Sequence, residues 1–141
     1  MIFQNLLFLT FVLMKFTLGK EEKLKSRKLI EQLFAEGKRV KSFPLQLIYL
    51  QISHHSEIPV KVGFSVPKRV VKLAVDRNRI KRMMREVYRK NKYLISENIQ
   101  EPYIFMFIFT AKEELKYADL EETFKKVFTK FLSKIEEDEQ N

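Results

Sequence analysis

Apolar positions recur with two different periods along this chain, and the switches between them mark its elements. Leu29, Ile30, Leu33 and Phe34 fall on one stripe of a helix over Arg27–Glu36. Ser26 is placed to cap its start, and Gly37 stands where helices stop. Residues 45–52, LQLIYLQI, follow Pro44 and read as a strand that ends in the polar loop 53–59. From 60 to 66 the alternation is strict: Val60, Val62, Phe64 and Val66 face a core, Lys61, Gly63 and Ser65 face away, and Pro67 ends the strand. An apolar piece at 73–75 is read as a brief strand, after which Asp76 is a helix N-cap. Ile80, Met83, Met84, Val87 and Tyr88 then give residues 77–90 the spacing of a helix with one buried stripe. Residues 103–110, YIFMFIFT, are apolar on both parities, which predicts a central strand covered on both faces. Asp119 and Glu122 resemble a capping box that opens a last helix, with Leu120, Phe124, Val127, Phe128, Phe131 and Ile135 on one side. The order α-β-β-β-α-β-α predicts an α+β fold, a two-layer sandwich.

Composition adds the domain organisation. A chain of 141 residues with 45% hydrophobic content has the size and the core material of one domain, assigned to residues 14–135, with 136–141 as an acidic, frayed tail. There is no cysteine, which excludes disulfides, thiolate metal sites and a cysteine nucleophile. Residues 1–13 form an apolar extension too short to span a membrane and without the charge and cleavage pattern of a secretory signal. Two readings remain open for it: translation starts at Met14, or the extension is an anchor.

Charge changes the picture most. Residues 68–92 hold eleven of the 27 Lys and Arg residues and two acids, a net charge of +9 that equals that of the whole chain. On the helix within this stretch Asn78, Lys81, Arg82, Arg85 and Arg89 cover an arc of roughly 100°, opposite Ile80 and Met84. A charged face is usually only a solvated face. Here Arg77, Lys81 and Arg85 stack like charges at i+4 steps, which an isolated helix disfavours and a bound polyanion relieves.

The same stretch resembles a known family. AVDRNRIKRMMREVYR, residues 74–89, is similar to the arginine-rich helix of the bacterial ribonuclease P protein subunit, with an RNR core at Arg77, Asn78 and Arg79. KLKSRKLIEQLFAEG, residues 23–37, resembles the family's first helix, and GFSVPK, residues 63–68, its second strand and following turn. The resemblance covers about residues 16–135, with the spacing between motifs kept, and it favours Met14 as the start. It implies a fold similar to the second domain of ribosomal protein S5, with a left-handed βαβ crossover. It also implies a cytoplasmic protein that binds one catalytic RNA, 1:1, and the 5′ leader of precursor tRNA, with Mg²⁺ supplied through that RNA and no membrane partner. Carried over, the RNA-binding residues are Lys68, Arg69, Lys72, Arg77, Asn78, Arg79, Lys81, Arg82, Arg85 and Arg89. Lys23, Ile30, Phe34, Tyr49 and Ser65 are carried to the leader cleft, with Lys68 beside them. Ile30 stands where an aromatic residue is common, and isoleucine offers no stacking face.

No catalytic residues and no metal ligands are assigned to the chain. His54 and His55 sit in a polar loop without a third ligand and read as solvated, while Glu113, Glu114, Glu121 and Glu122 read as loop and helix-start charges. Two competing classes are a ribosomal or general RNA-binding module without a role in cleavage, and a protein-only nuclease, for which the sequence offers no acid cluster.

Overall fold

The computed structural model describes residues 18–54 and 57–140, so the apolar extension, Met14 and His55 lie outside it. A 3-10 turn, Lys20–Glu22, leads into helix α1, Arg27–Glu36. Ser26 caps α1 by accepting the Leu29 N–H at 3.3 Å, and the Gly37 N–H closes its end on the Leu33 carbonyl at 2.8 Å. There follow strands β1, Lys38–Ser42, β2, Leu45–Gln51, and β3, Val60–Ser65, then helix α2, Ala74–Asn91, and a short helix α3, Tyr93–Ser96. Strand β4, Tyr103–Phe109, and helix α4, Tyr117–Gln140, complete the fold.

The four strands form one sheet in the order β1-β2-β4-β3, with β3 parallel to β4 and the other pairs antiparallel. β4 is therefore internal, flanked by β2 and β3, as its two apolar parities predict. Tyr103, Phe105, Phe107 and Phe109 turn to one face, where Leu45, Leu47, Val60 and Val62 join them beneath α2 and α4. This is the expected layer of sheet on helices. It is closed by rings in edge contact, such as Phe105 on Phe131 with centroids 4.9 Å apart. Ile104 and Met106 turn to the opposite face and pack with Leu24, Ile48 and Leu33 beneath α1, so α1 adds cover where the other helices do not reach.

Several boundaries differ from the sequence reading, each for a local reason. β1 went unread because only Val40 of its five residues is buried, which leaves no alternation to detect. The brief strand expected at 73–75 is absent: Leu73 is the N-cap residue of α2, and its carbonyl accepts the Arg77 N–H at 3.0 Å. Asp76 lies in the first turn rather than at the cap, where its carboxylate still complements the helix dipole. α4 likewise starts before Asp119, through the Leu120 N–H on the Lys116 carbonyl. Residues 136–140 continue α4, and Asp138 pairs with Lys38 at 2.7 Å.

The seat of α1 on the sheet depends on Gly37. A methyl group there would collide with the Leu33 carbonyl and come within 2.7 Å of Ile48 Cγ2. Gly37→Ala should lower stability by about 1–3 kcal/mol by overpacking. Urea denaturation should show an earlier midpoint with an unchanged slope.

Candidate nucleic-acid interface

Helix α2 divides its circumference sharply. Ile80, Met84, Val87, Tyr88 and Asn91 are buried, and burial pushes the Tyr88 phenol far above its ordinary range, so it stays neutral. Facing away, Asn78, Arg82 and Arg85 are exposed and Lys81 is half-buried. None of these four side chains has a hydrogen-bond or ion-pair partner among the described residues. Lys68, Arg69 and Lys72 are exposed on the loop that leads into the helix, and they extend the same cationic surface beyond its N-terminus.

The other basic residues of the stretch have work inside the protein. Arg77 falls at the margin of the buried stripe, and its Nη1 donates to the carbonyls of Val71 at 3.0 Å and Lys72 at 2.7 Å, bracing the loop against the helix. Arg79 bridges Asp76 at 2.6 Å and Glu114 at 3.0 Å, which ties the helix start to the segment after β4. Arg89 grips Glu86, and its hydrogen bond holds that carboxyl below the usual carboxylate range. Lys92 is 6% exposed and meets Glu22 at 2.6 Å. The RNR core is thus split: Asn78 points outward, Arg77 serves as a brace, and Arg79 is half-exposed with two carboxylate partners.

On the α1 side of the sheet the residues expected in a leader cleft separate into two groups. Ile30 and Phe34 lie one turn apart on α1. Phe34 is 46% exposed, so it is a free aromatic surface rather than a core residue. Ser65 stands on β3 in register with Ile108, both half-buried on this face. Lys23 is exposed at the edge of β3, beside Val62, while its neighbour Leu24 turns inward to the α1 side.

Tyr49 is not brought into this group. It faces the other side of the sheet, 3% exposed, in edge contact with Phe131 at 4.9 Å. Burial first, then the Asp138 and Glu137 carboxylates, push its phenol upward. The apolar β2 residues on the α1 side are Ile48 and Leu50. The run LQLIYLQI is apolar at almost every position, so its parity could not be decided from the pattern. His54 is buried at 8% exposure, unlike the solvated loop histidine expected. Among the described residues no group of three or more His, Asp or Glu side chains is placed to hold a metal ion. No described helix is long and apolar enough to cross a membrane.

Stability measurements should separate the two kinds of arginine. Arg77→Ala should cost about 1–3 kcal/mol, because two carbonyls lose a charged donor. Arg85→Ala should leave the melting temperature almost unchanged, since its side chain touches no partner among the described residues.

Known proteins share both sequence and fold with this chain. The sequence model of the family Ribonuclease P matches residues 18–135. The ribonuclease P protein component of Porphyromonas gingivalis strain ATCC 33277 is 40% identical over 93 residues, which cover 66% of this chain and 68% of that protein. That of Chlorobaculum tepidum is 42% identical over 82 residues, covering 56% and 53%. The solved RNase P protein from Thermotoga maritima has the same fold, with a TM-score of 0.61 at 21% identity over 77% of this chain and 96% of that one. A Staphylococcus aureus RNase P protein structure gives 0.59 at 18% identity, over 77% and 93%. With a family match over most of its length, the chain belongs to the ribonuclease P protein family.

Proposed function

We propose that the chain is the protein subunit of ribonuclease P, the endoribonuclease that matures the 5′ end of tRNA. In this reading the α2 ridge docks on the catalytic RNA, and the groove between α1 and β3 holds the single-stranded leader of precursor tRNA. The observation that carries it is the unpartnered ridge of Asn78, Lys81, Arg82 and Arg85, in a chain matched by the family over residues 18–135. An arginine guanidinium binds phosphate bidentately, and a helix repeats its face every ~5.4 Å, so successive turns can follow a phosphate backbone. Lys68, Arg69 and Lys72 continue the contact on the loop that joins β3 to α2. That loop also connects the ridge to Ser65, so catalytic RNA and leader meet around one segment. Phe34 offers its ring to a leader base, and Ile30 beside it offers apolar contact without stacking.

The chain contributes binding and the RNA contributes the reaction. Phosphates neutralised by the ridge lower the repulsion between catalytic RNA and substrate, which favours folding of the RNA and retention of its Mg²⁺ ions. One protein serves one RNA, in the cytoplasm. A ribosomal or general RNA-binding role gains nothing from the relatives, which carry the ribonuclease P name.

Reconstitution with a bacterial ribonuclease P RNA tests the proposal: the chain should stimulate leader removal at low Mg²⁺, and no stimulation would exclude it. Arg85→Ala should reduce the salt dependence of binding to the catalytic RNA, the log–log slope, by about one unit. An unchanged slope would place Arg85 away from phosphate. Phe34→Ala should weaken precursor binding more than assembly with the RNA, at nearly unchanged stability because its ring is exposed. Equal losses in both would remove it from the leader groove.

A further inference from the structure

Outside residues 68–92 the sequence balances sixteen basic against sixteen acidic residues, yet the fold does not leave that charge evenly spread. β1, an outer strand of the sheet, exposes Lys38, Arg39 and Lys41. α4 runs alongside it and exposes Lys125, Lys126, Lys130 and Lys134. The two segments are tied by the Lys130 ammonium on the Lys41 carbonyl at 2.6 Å and by the Lys38–Asp138 pair. Ser42, Lys125, Lys126, Thr129 and Lys130 line a shallow depression with one carboxylate, Glu122. Glu122 lies 3.8 Å from Lys126 with both side chains largely exposed, a weak pair. The Lys125 ammonium has no partner among the described residues. Lys126, Lys130 and Lys134 follow one another at i+4 steps, where like charges repel. Next to Ser42, at the tip of the β1–β2 hairpin, Phe43 is 79% exposed, the largest exposure of any big apolar side chain described.

Three ammonium groups and two hydroxyls around a depression suit a phosphate, and a solvent-facing phenyl ring beside it suits a base. We infer that this corner is a second RNA-binding site, which takes a phosphate of a single-stranded segment in the depression and stacks an adjacent base on Phe43. The inference rests on the reading of the chain as an RNA-binding subunit. It concerns a different surface, because β1 lies at one edge of the sheet and α2 packs on β3 at the other. RNA held at both places is held as two segments, or as one that crosses the molecule.

The test uses the full chain and a short, unstructured RNA oligonucleotide, with circular dichroism to confirm that each variant folds. In a background where Lys81, Arg82 and Arg85 are alanine, binding should persist at low salt. Adding Lys125→Ala, Lys126→Ala and Lys130→Ala should then lower the log–log salt slope by about two units. Adding Phe43→Ala instead should weaken single-strand binding about fivefold or more, without weakening duplex binding. Loss of all binding in the background variant, or an unchanged slope after the lysine changes, would overturn the inference. The source of the segment is read separately. The chain has no cysteine, so Ser42→Cys carries a single photo-crosslinker into the reconstituted complex. Crosslinks to the catalytic RNA or to the precursor identify the segment, and none to either would overturn the site. Leader cleavage in the same samples reports on the subunit role independently.

Discussion

A strand that is apolar on both faces cannot be exposed on either. β4 presents Tyr103, Phe105, Phe107 and Phe109 to one side and Ile104 and Met106 to the other, all buried. Each large side chain taken from water contributes about 1.5–3 kcal/mol, so leaving either face open is expensive. The answer of the fold is α2 and α4 on the aromatic side and α1 on the aliphatic side. The exposed cationic surface of α2 follows from this arrangement. α2 must bury its Ile80 and Met84 stripe against the core, which turns Lys81, Arg82 and Arg85 outward. α1 packs on β2 and β4, and Ser65 of β3 stays half-buried on the same face.

The basic stretch is better described as two populations than as one field. Arg77, Arg79, Arg89 and Lys92 make internal contacts that fix the helix and the loop before it. The outward group makes none among the described residues. Anchored cations hold the backbone still, so the free ones are presented in a fixed geometry, which lowers the ordering cost of binding a phosphate chain. Reaction chemistry needs no side chain of this protein in such a division of labour.

Much of this was legible in the residues. The ends of α1, the alternation of β3, the internal position of β4 and the two faces of α2 each follow from period, caps and parity. What escaped lacked a local signal. β1 has one buried residue, and Tyr49 lies in a run with no readable parity, so its face was set by pairing with β4 and not by its own sequence. The role of Arg77 as a brace depends on carbonyls five and six residues away in a loop whose path no pattern predicts. The balance of charge outside residues 68–92 hid a cluster assembled from positions about ninety residues apart.

The exposed cations of β1 bear on how copies of the protein treat one another. A sheet has two outer strands whose free N–H and C=O groups can pair with another chain. At β3 that edge is occupied by the protein's own residues 23 and 24, with the Leu24 N–H on the Val62 carbonyl at 2.9 Å. At β1 no strand among the described residues pairs with the outer edge, which exposes Lys38, Arg39 and Lys41. Two such edges brought together would juxtapose six positive charges, which disfavours strand-to-strand pairing between copies.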